Sequence, residues 1–170
     1  MSQFTIGRTT HAFPRPTAVT TLVDRHVAKL HRWLEAHSVS ILRVNLGIVF
    51  LVFGVLKFFT GYSPAAKIAA ATLDKLTLGV IHGHTAVIVT ACTETVIGLT
   101  LVSGRFLRLG LVVLAGAMVG IMSPLVLFTG DLFPHGPSLM GQYVIKDIVL
   151  VAAGLVVATQ ALGSRMRSDV

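Results

Sequence analysis

Four long apolar runs, separated by short polar or Gly/Pro-rich segments, dominate the chain. They fall at about 39–61, 84–102, 107–128 and 142–162. Each is near the roughly 20 residues that a helix needs to cross the hydrocarbon core of a bilayer. Gly61, Tyr62, Ser63 and Pro64 end the first run, and Ser103-Gly104 closes the second. Pro124 bends or ends the third, and Gly130, Pro134, Gly136 and Pro137 mark a loop over 129–141. Ahead of the runs, Val19, Leu22, Val23, Val27, Leu30, Trp33 and Leu34 recur at helical spacing, with Arg25, Lys29, Arg32 and Glu35 mostly opposite. A basic helix with Trp beside its apolar stripe suits the membrane interface. Packing on a partner subunit is the alternative use of that stripe. The segment 64–81 is rich in small residues, partly amphipathic and too polar to cross.

The pattern predicts an all-α integral membrane protein, a four-transmembrane-helix bundle with an N-terminal amphipathic interfacial helix. Residues 1–38 form a tail and the juxtamembrane helix, 39–163 the transmembrane domain, and 164–170 a C-terminal tail. No apolar core with a small-residue cleavage site begins near the start, so no signal peptide is expected.

Composition agrees. Hydrophobic residues make up 54% of the 170 and charged residues only 12%, against about a quarter in soluble domains. The spans leave no room for a separate soluble catalytic domain. The net charge of +7 does not point to nucleic acid, because the basic residues flank apolar runs and form no stripe. Attraction to anionic lipid accounts for them. The single cysteine, Cys92, rules out an internal disulfide and a Cys-x-x-Cys redox pair.

Lys and Arg positions also orient the bundle. Arg8, Arg15, Arg25, Lys29 and Arg32 precede the first span, Arg105 and Arg108 lie in the second-to-third turn, and Arg165 and Arg167 follow the fourth. The opposite side carries only Lys67 and Lys75. Both termini are therefore expected in the cytoplasm of a bacterial inner-membrane protein, with 64–81 and 129–141 facing out.

Ionisable residues inside spans are costly and usually face the bundle interior. Here they are Arg43, Lys57, Glu94, Lys146 and Asp147. Arg43, Gly47, Phe50, Gly54 and Lys57 share one face of the first span, where Arg43 can snorkel inward and Lys57 outward. Glu94 lies roughly 15 Å into the second span. Lys146 and Asp147 open the fourth span at a depth like that of Lys57. Depth thus favours a Lys57–Asp147 pair over Lys57–Glu94, and Glu94 needs a lysine reaching down or a bridging water. These groups form a ligand-binding or structural polar cluster in the outer half, with Gln142, Tyr143, Ser123 and Asn45 as further hydrogen-bonding candidates. Two lysines balance two acids. His82, His84 and His135 fall at the outer surface, where a turn and interface cap explains them better than a metal site. No histidine lies deep enough for a bis-histidine haem. Gly116-x-x-x-Gly120 in the third span reads as a close-packing motif, and Met118 and Met122 as core filler.

At these positions the chain resembles the DoxX-like family of small bacterial membrane proteins, and in particular its branch of inner-membrane reactive-chlorine-resistance proteins, RclC/YkgB. The resemblance rests on 43–59 (RVNLGIVFLVFGVLKFF), 94–127 (ETVIGLTLVSGRFLRLGLVVLAGAMVGIMSPLVL) and 141–154 (GQYVIKDIVLVAAG). It implies a four-helix membrane fold and a link to oxidative stress or quinone-linked electron transfer, with quinone as the cofactor to consider. The candidate positions it carries over are the same five: Arg43, Lys57, Glu94, Lys146 and Asp147. It supplies no reaction, and no independent catalytic activity is expected.

Three functions fit. The chain is a redox-linked accessory protein with a quinone-like ligand at the polar cluster, a structural subunit of a larger membrane complex or homo-oligomer, or a small proton-coupled transporter working through Glu94.

Overall fold

A computed structural model describes the backbone of residues 18–163 and the side chains of 24–163. The expected polar tail before residue 18, the apolar positions Val19, Leu22 and Val23, and the basic tail with Arg165 and Arg167 lie outside these side chains or outside the described residues altogether. Contacts divide the chain into a unit of residues 1–36 and a unit of residues 37–170.

In the first unit the described residues belong to α1 (Ala18–Lys57). Val27, Leu30, Trp33 and Leu34 are exposed along it. His31 Nδ1 and Glu35 Oε2 lie 3.4 Å apart, one turn apart on the same helix. The helix does not stop at residue 38, where the sequence pattern changes from amphipathic to apolar. The residues at that change, His37-Ser38-Val39, include neither Gly nor Pro, so nothing there breaks a helix.

The second unit continues α1 and adds α2 (Ala66–Leu76), α3 (Gly83–Ser103), α4 (Leu107–Met122), α5 (Pro124–Leu127), α6 (Thr129–Leu132) and α7 (Leu139–Ala161). Four stretches are long and apolar enough to cross a membrane: Asp24–Lys57, Gly83–Ser103, Leu107–Leu127 and Leu139–Ala161. They form a four-helix membrane bundle in contact with lipid. Val112, Val149 and Leu155 point outward from it, each more than half exposed, as a surface dissolved in acyl chains requires.

Local chemistry sets the boundaries. Gly104, at φ +69°, closes α3 in the left-handed conformation that glycine adopts without penalty. Pro124 cannot continue the α4 hydrogen-bond ladder and instead starts α5 as its first residue. The Ser138 hydroxyl accepts from the Gly141 N–H at 3.1 Å and caps α7.

The α1–α3 contact is antiparallel and very close. A Cβ added at Gly47 would come within 2.9 Å of Leu101 and Val102, one at Gly54 within 2.8 Å of the Thr95 backbone, and one at Gly98 within 2.6 Å of the Leu51 backbone. Glycine is what allows these backbones to touch. This register places the end of α1 opposite about residue 92, so α3 runs past it for roughly nine residues, or ~13 Å. That space is taken by α2, which packs on α3, α4 and α5.

The bundle is consequently of two kinds along its length. Toward Arg43 it is solid: Leu46, Phe50, Ile97, Leu101, Leu114, Met118 and Val157 form one buried cluster. Toward α2 it is hollow.

Candidate functional site

The hollow is a cavity of about 670 Å³ walled by α1, α2, α3, α4 and α7. Most of its lining is aliphatic or aromatic, including Phe50, Phe53, Ile68, Ile121 and Leu150. The ionisable residues on its wall are Lys57, Glu94, Lys146 and Asp147. The structure therefore brings four of the five sequence-predicted residues to one apolar chamber.

Lys57 is the last residue of α1 and only 5% exposed; Glu94, in mid-α3, is 8% exposed. Lys57 Nζ donates to Glu94 Oε2 at 2.5 Å. This corrects the expectation that depth favours a Lys57–Asp147 pair. The expectation placed the end of the first span level with the start of the second. In the structure α1 ends far short of that level, so Lys57 needs to reach down by only about two residues' rise, ~3 Å. Gly54 completes the arrangement, since a Cβ there would lie 3.0 Å from Glu94 Cβ. A lysine at a helix C-terminus also meets the negative end of the helix dipole. Its ammonium lies 6.0 Å from the centre of the Phe53 ring.

Asp147 is half-buried and interacts electrostatically with both Glu94 and Lys57. Lys146 is exposed, with its ammonium 5.7 Å from the Tyr143 ring centre. Among the described residues Glu94 Oε1 has no hydrogen-bond partner, and Lys57 has donors beyond the one used by Glu94. The cluster thus keeps hydrogen-bonding capacity while its formal charges balance.

Arg43 is not brought to the others. It lies fourteen residues before Lys57 on α1, about 21 Å along the helix. There its Nη1 donates to the Leu101 carbonyl at 2.5 Å. Of the expected helpers, Tyr143 borders the cavity. Asn45 donates to the Ile41 carbonyl, Ser123 to Gly120 and Gln142 to Pro137, so each bonds backbone near itself in sequence. His82 Nδ1 lies 2.9 Å from the Gly79 carbonyl oxygen, in a turn. Among the described residues no three His, Cys, Asp or Glu side chains gather as a metal site.

Two features of the wall depart from the sequence reading or add to it. Among the described residues Gly116 and Gly120 do not pack against a helix: a Cβ at either would meet nothing within 4 Å, and both line the cavity. The G-x-x-x-G spacing marks a bare helix face, and here that face meets open space. The second feature is α2. Pro64, Ala65, Ile68, Ala69, Thr72, Leu73 and Leu76 wall the chamber, and their recurrence every three or four residues was the available signal. Lys75 ties α2 down, donating to the Leu127 carbonyl at 3.3 Å with its ammonium 4.2 Å from the Phe128 ring centre.

A family model described as DoxX matches residues 38–130. That stretch includes Arg43, Lys57 and Glu94 and ends before Lys146 and Asp147. No curated protein and no solved structure matches the chain.

Proposed function

The chain belongs to the DoxX family, whose model covers more than half of it, and on that premise we propose that it is an accessory membrane protein of redox or oxidative-stress chemistry that binds a quinone-like ligand in the cavity. The observation that carries this reading is the wall itself. A chamber of about 670 Å³ is mostly apolar yet carries Lys57, Glu94, Lys146 and Asp147. Binding sites for small molecules commonly combine an apolar lining with a few convergent polar groups. Because two lysines offset two acids, a charged ligand would arrive without a counter-charge. An uncharged ring with carbonyl oxygens would not.

The resemblance to the RclC/YkgB branch supports the oxidative-stress assignment. The basic residues outside the spans support a bacterial inner-membrane location with both termini cytoplasmic. That orientation puts the α2 end, and so the cavity, in the outer half. The pairing of Glu94 with Lys57 weighs against a proton-coupled transporter working through Glu94. A structural subunit of a larger membrane complex is the second reading, favoured by the exposed Val27, Leu30, Trp33 and Leu34 of the first unit.

Isolation from native membranes in mild detergent, followed by extraction and quantification of bound quinone, tests the proposal. Wild-type protein is expected to carry quinone, and Glu94→Gln to carry less and to lower oxidant tolerance in cells. Quinone-free wild-type protein together with unchanged tolerance in Glu94→Gln would end it.

A further inference from the structure

Two sets of glycines in the bundle differ in what surrounds them. Gly47, Gly54 and Gly98 lie where a Cβ would collide with a neighbouring helix at 2.6–2.9 Å. Gly116 and Gly120 lie where a Cβ would meet nothing within 4 Å. They sit one turn apart on α4 and both border the cavity, so they expose a strip of bare helix backbone to it. A flat molecule can lie against such a strip where side chains would hold it off.

A second, independent observation concerns Thr72 of α2. It also borders the cavity, it is 4% exposed, and its hydroxyl has no hydrogen-bond partner among the described residues. Four threonines of α3 behave differently: Thr90, Thr93, Thr95 and Thr100 each donate to the carbonyl four residues earlier. Buried hydroxyls are nearly always satisfied, and one that is not requires an explanation. One rotamer step exchanges the methyl and hydroxyl of a helical threonine. In that rotamer a ligand in the cavity that Thr72 borders would be the acceptor the hydroxyl lacks.

We propose that Gly116, Gly120 and Thr72 form the specificity surface of the site: the ligand is an uncharged planar ring lying flat on the Gly116–Gly120 face of α4, with one ring oxygen accepting from Thr72 and another from Lys57. This rests on the quinone-like reading and sharpens it. Lys57 keeps donors beyond its bond to Glu94, and the two donors come from different helices. The ring therefore carries two acceptor oxygens. The remaining apolar volume, along Ile68, Leu73 and Leu76, receives an aliphatic tail.

The test uses the full chain in lipid nanodiscs, with decylubiquinone as probe and equilibrium dialysis as readout, alongside thermal unfolding without probe. Gly120→Leu is expected to weaken binding more than tenfold while leaving the unfolding temperature unchanged or higher, because its side chain enters open space. Thr72→Val is expected to weaken binding roughly fivefold, the factor of one neutral hydrogen bond, again without loss of stability. Thr72→Ser restores the affinity. A purely structural threonine would not give weaker binding without weaker folding. Wild-type affinity in both Gly120→Leu and Thr72→Val, with the probe still bound, overturns the specificity surface and leaves the quinone-like reading standing. No binding to the wild-type protein overturns both.

Discussion

Replacing Lys57 with Met removes one half of a buried ion pair and leaves the methylene volume almost unchanged. Both partners are more than nine-tenths buried, so solvent recovers little of the interaction lost with the ammonium. Stranding one member of a buried pair costs about 3–5 kcal/mol. The cost falls at the upper end here, because Asp147 interacts electrostatically with Glu94 and two acids then share the site, with Lys146 exposed beside Tyr143. Glu94→Gln should be milder, about 1–3 kcal/mol, since the amide still accepts from Lys57 and Asp147 remains as a counter-charge. In Lys57→Met/Glu94→Gln neither member of the pair is left charged opposite a missing partner, and replacing both charges of a buried pair is often neutral or stabilising. The single costs should therefore fail to add, the double variant costing less than Lys57→Met alone. Thermal unfolding in a mild detergent reads this as a drop of roughly 6–20 °C for Lys57→Met, largely recovered in the double variant. A double variant that loses the sum of the two single losses would refute the buried pairing.

Two further substitutions separate the roles of other positions. Gly98→Ala should destabilise by about 2–4 kcal/mol, because the new methyl lies 2.6 Å from the Leu51 backbone and rigid backbone cannot yield. Gly116→Ala should be neutral or stabilising by up to about 1 kcal/mol; the same unfolding assay compares them. Arg43→Met should cost about 1–3 kcal/mol through its bond to the Leu101 carbonyl, while quinone content per mole of protein stays at the wild-type level.

The four spans were legible because each is a long apolar run between Gly, Pro or charged residues, and the bilayer admits few other solutions for such a chain. The gathering of Lys57, Glu94, Lys146 and Asp147 was legible for a related reason: ionisable groups in spans turn inward, and these lie nearer one end. The Lys57–Glu94 pairing was not, because it depends on the offset between α1 and α3. That offset is set by where Gly47, Gly54 and Gly98 let the backbones meet, which is a property of two helices together. Gly116 and Gly120 were misread for the complementary reason. Small-residue spacing identifies a smooth helix face, and only the neighbouring helices decide whether another helix or a cavity lies against it. The segment 64–81 was expected to face out and to be too polar to cross; that α2 walls the chamber without crossing was not read from it.

The separation of the ion pair along the chain also orders events during synthesis. Glu94 follows Lys57 by thirty-seven positions. At about 5–20 residues per second, Lys57 leaves the ribosome roughly 2–7 s before its partner does. Through that interval α1 carries a charge at one end without the acid it finally pairs with, and a lysine at a helix end can wait among lipid headgroups. Only the arrival of α3 offers it a reason to leave them. The salt bridge thereby closes the first hairpin late, and a chain whose α3 is delayed or truncated would hold α1 at the wrong height in the membrane.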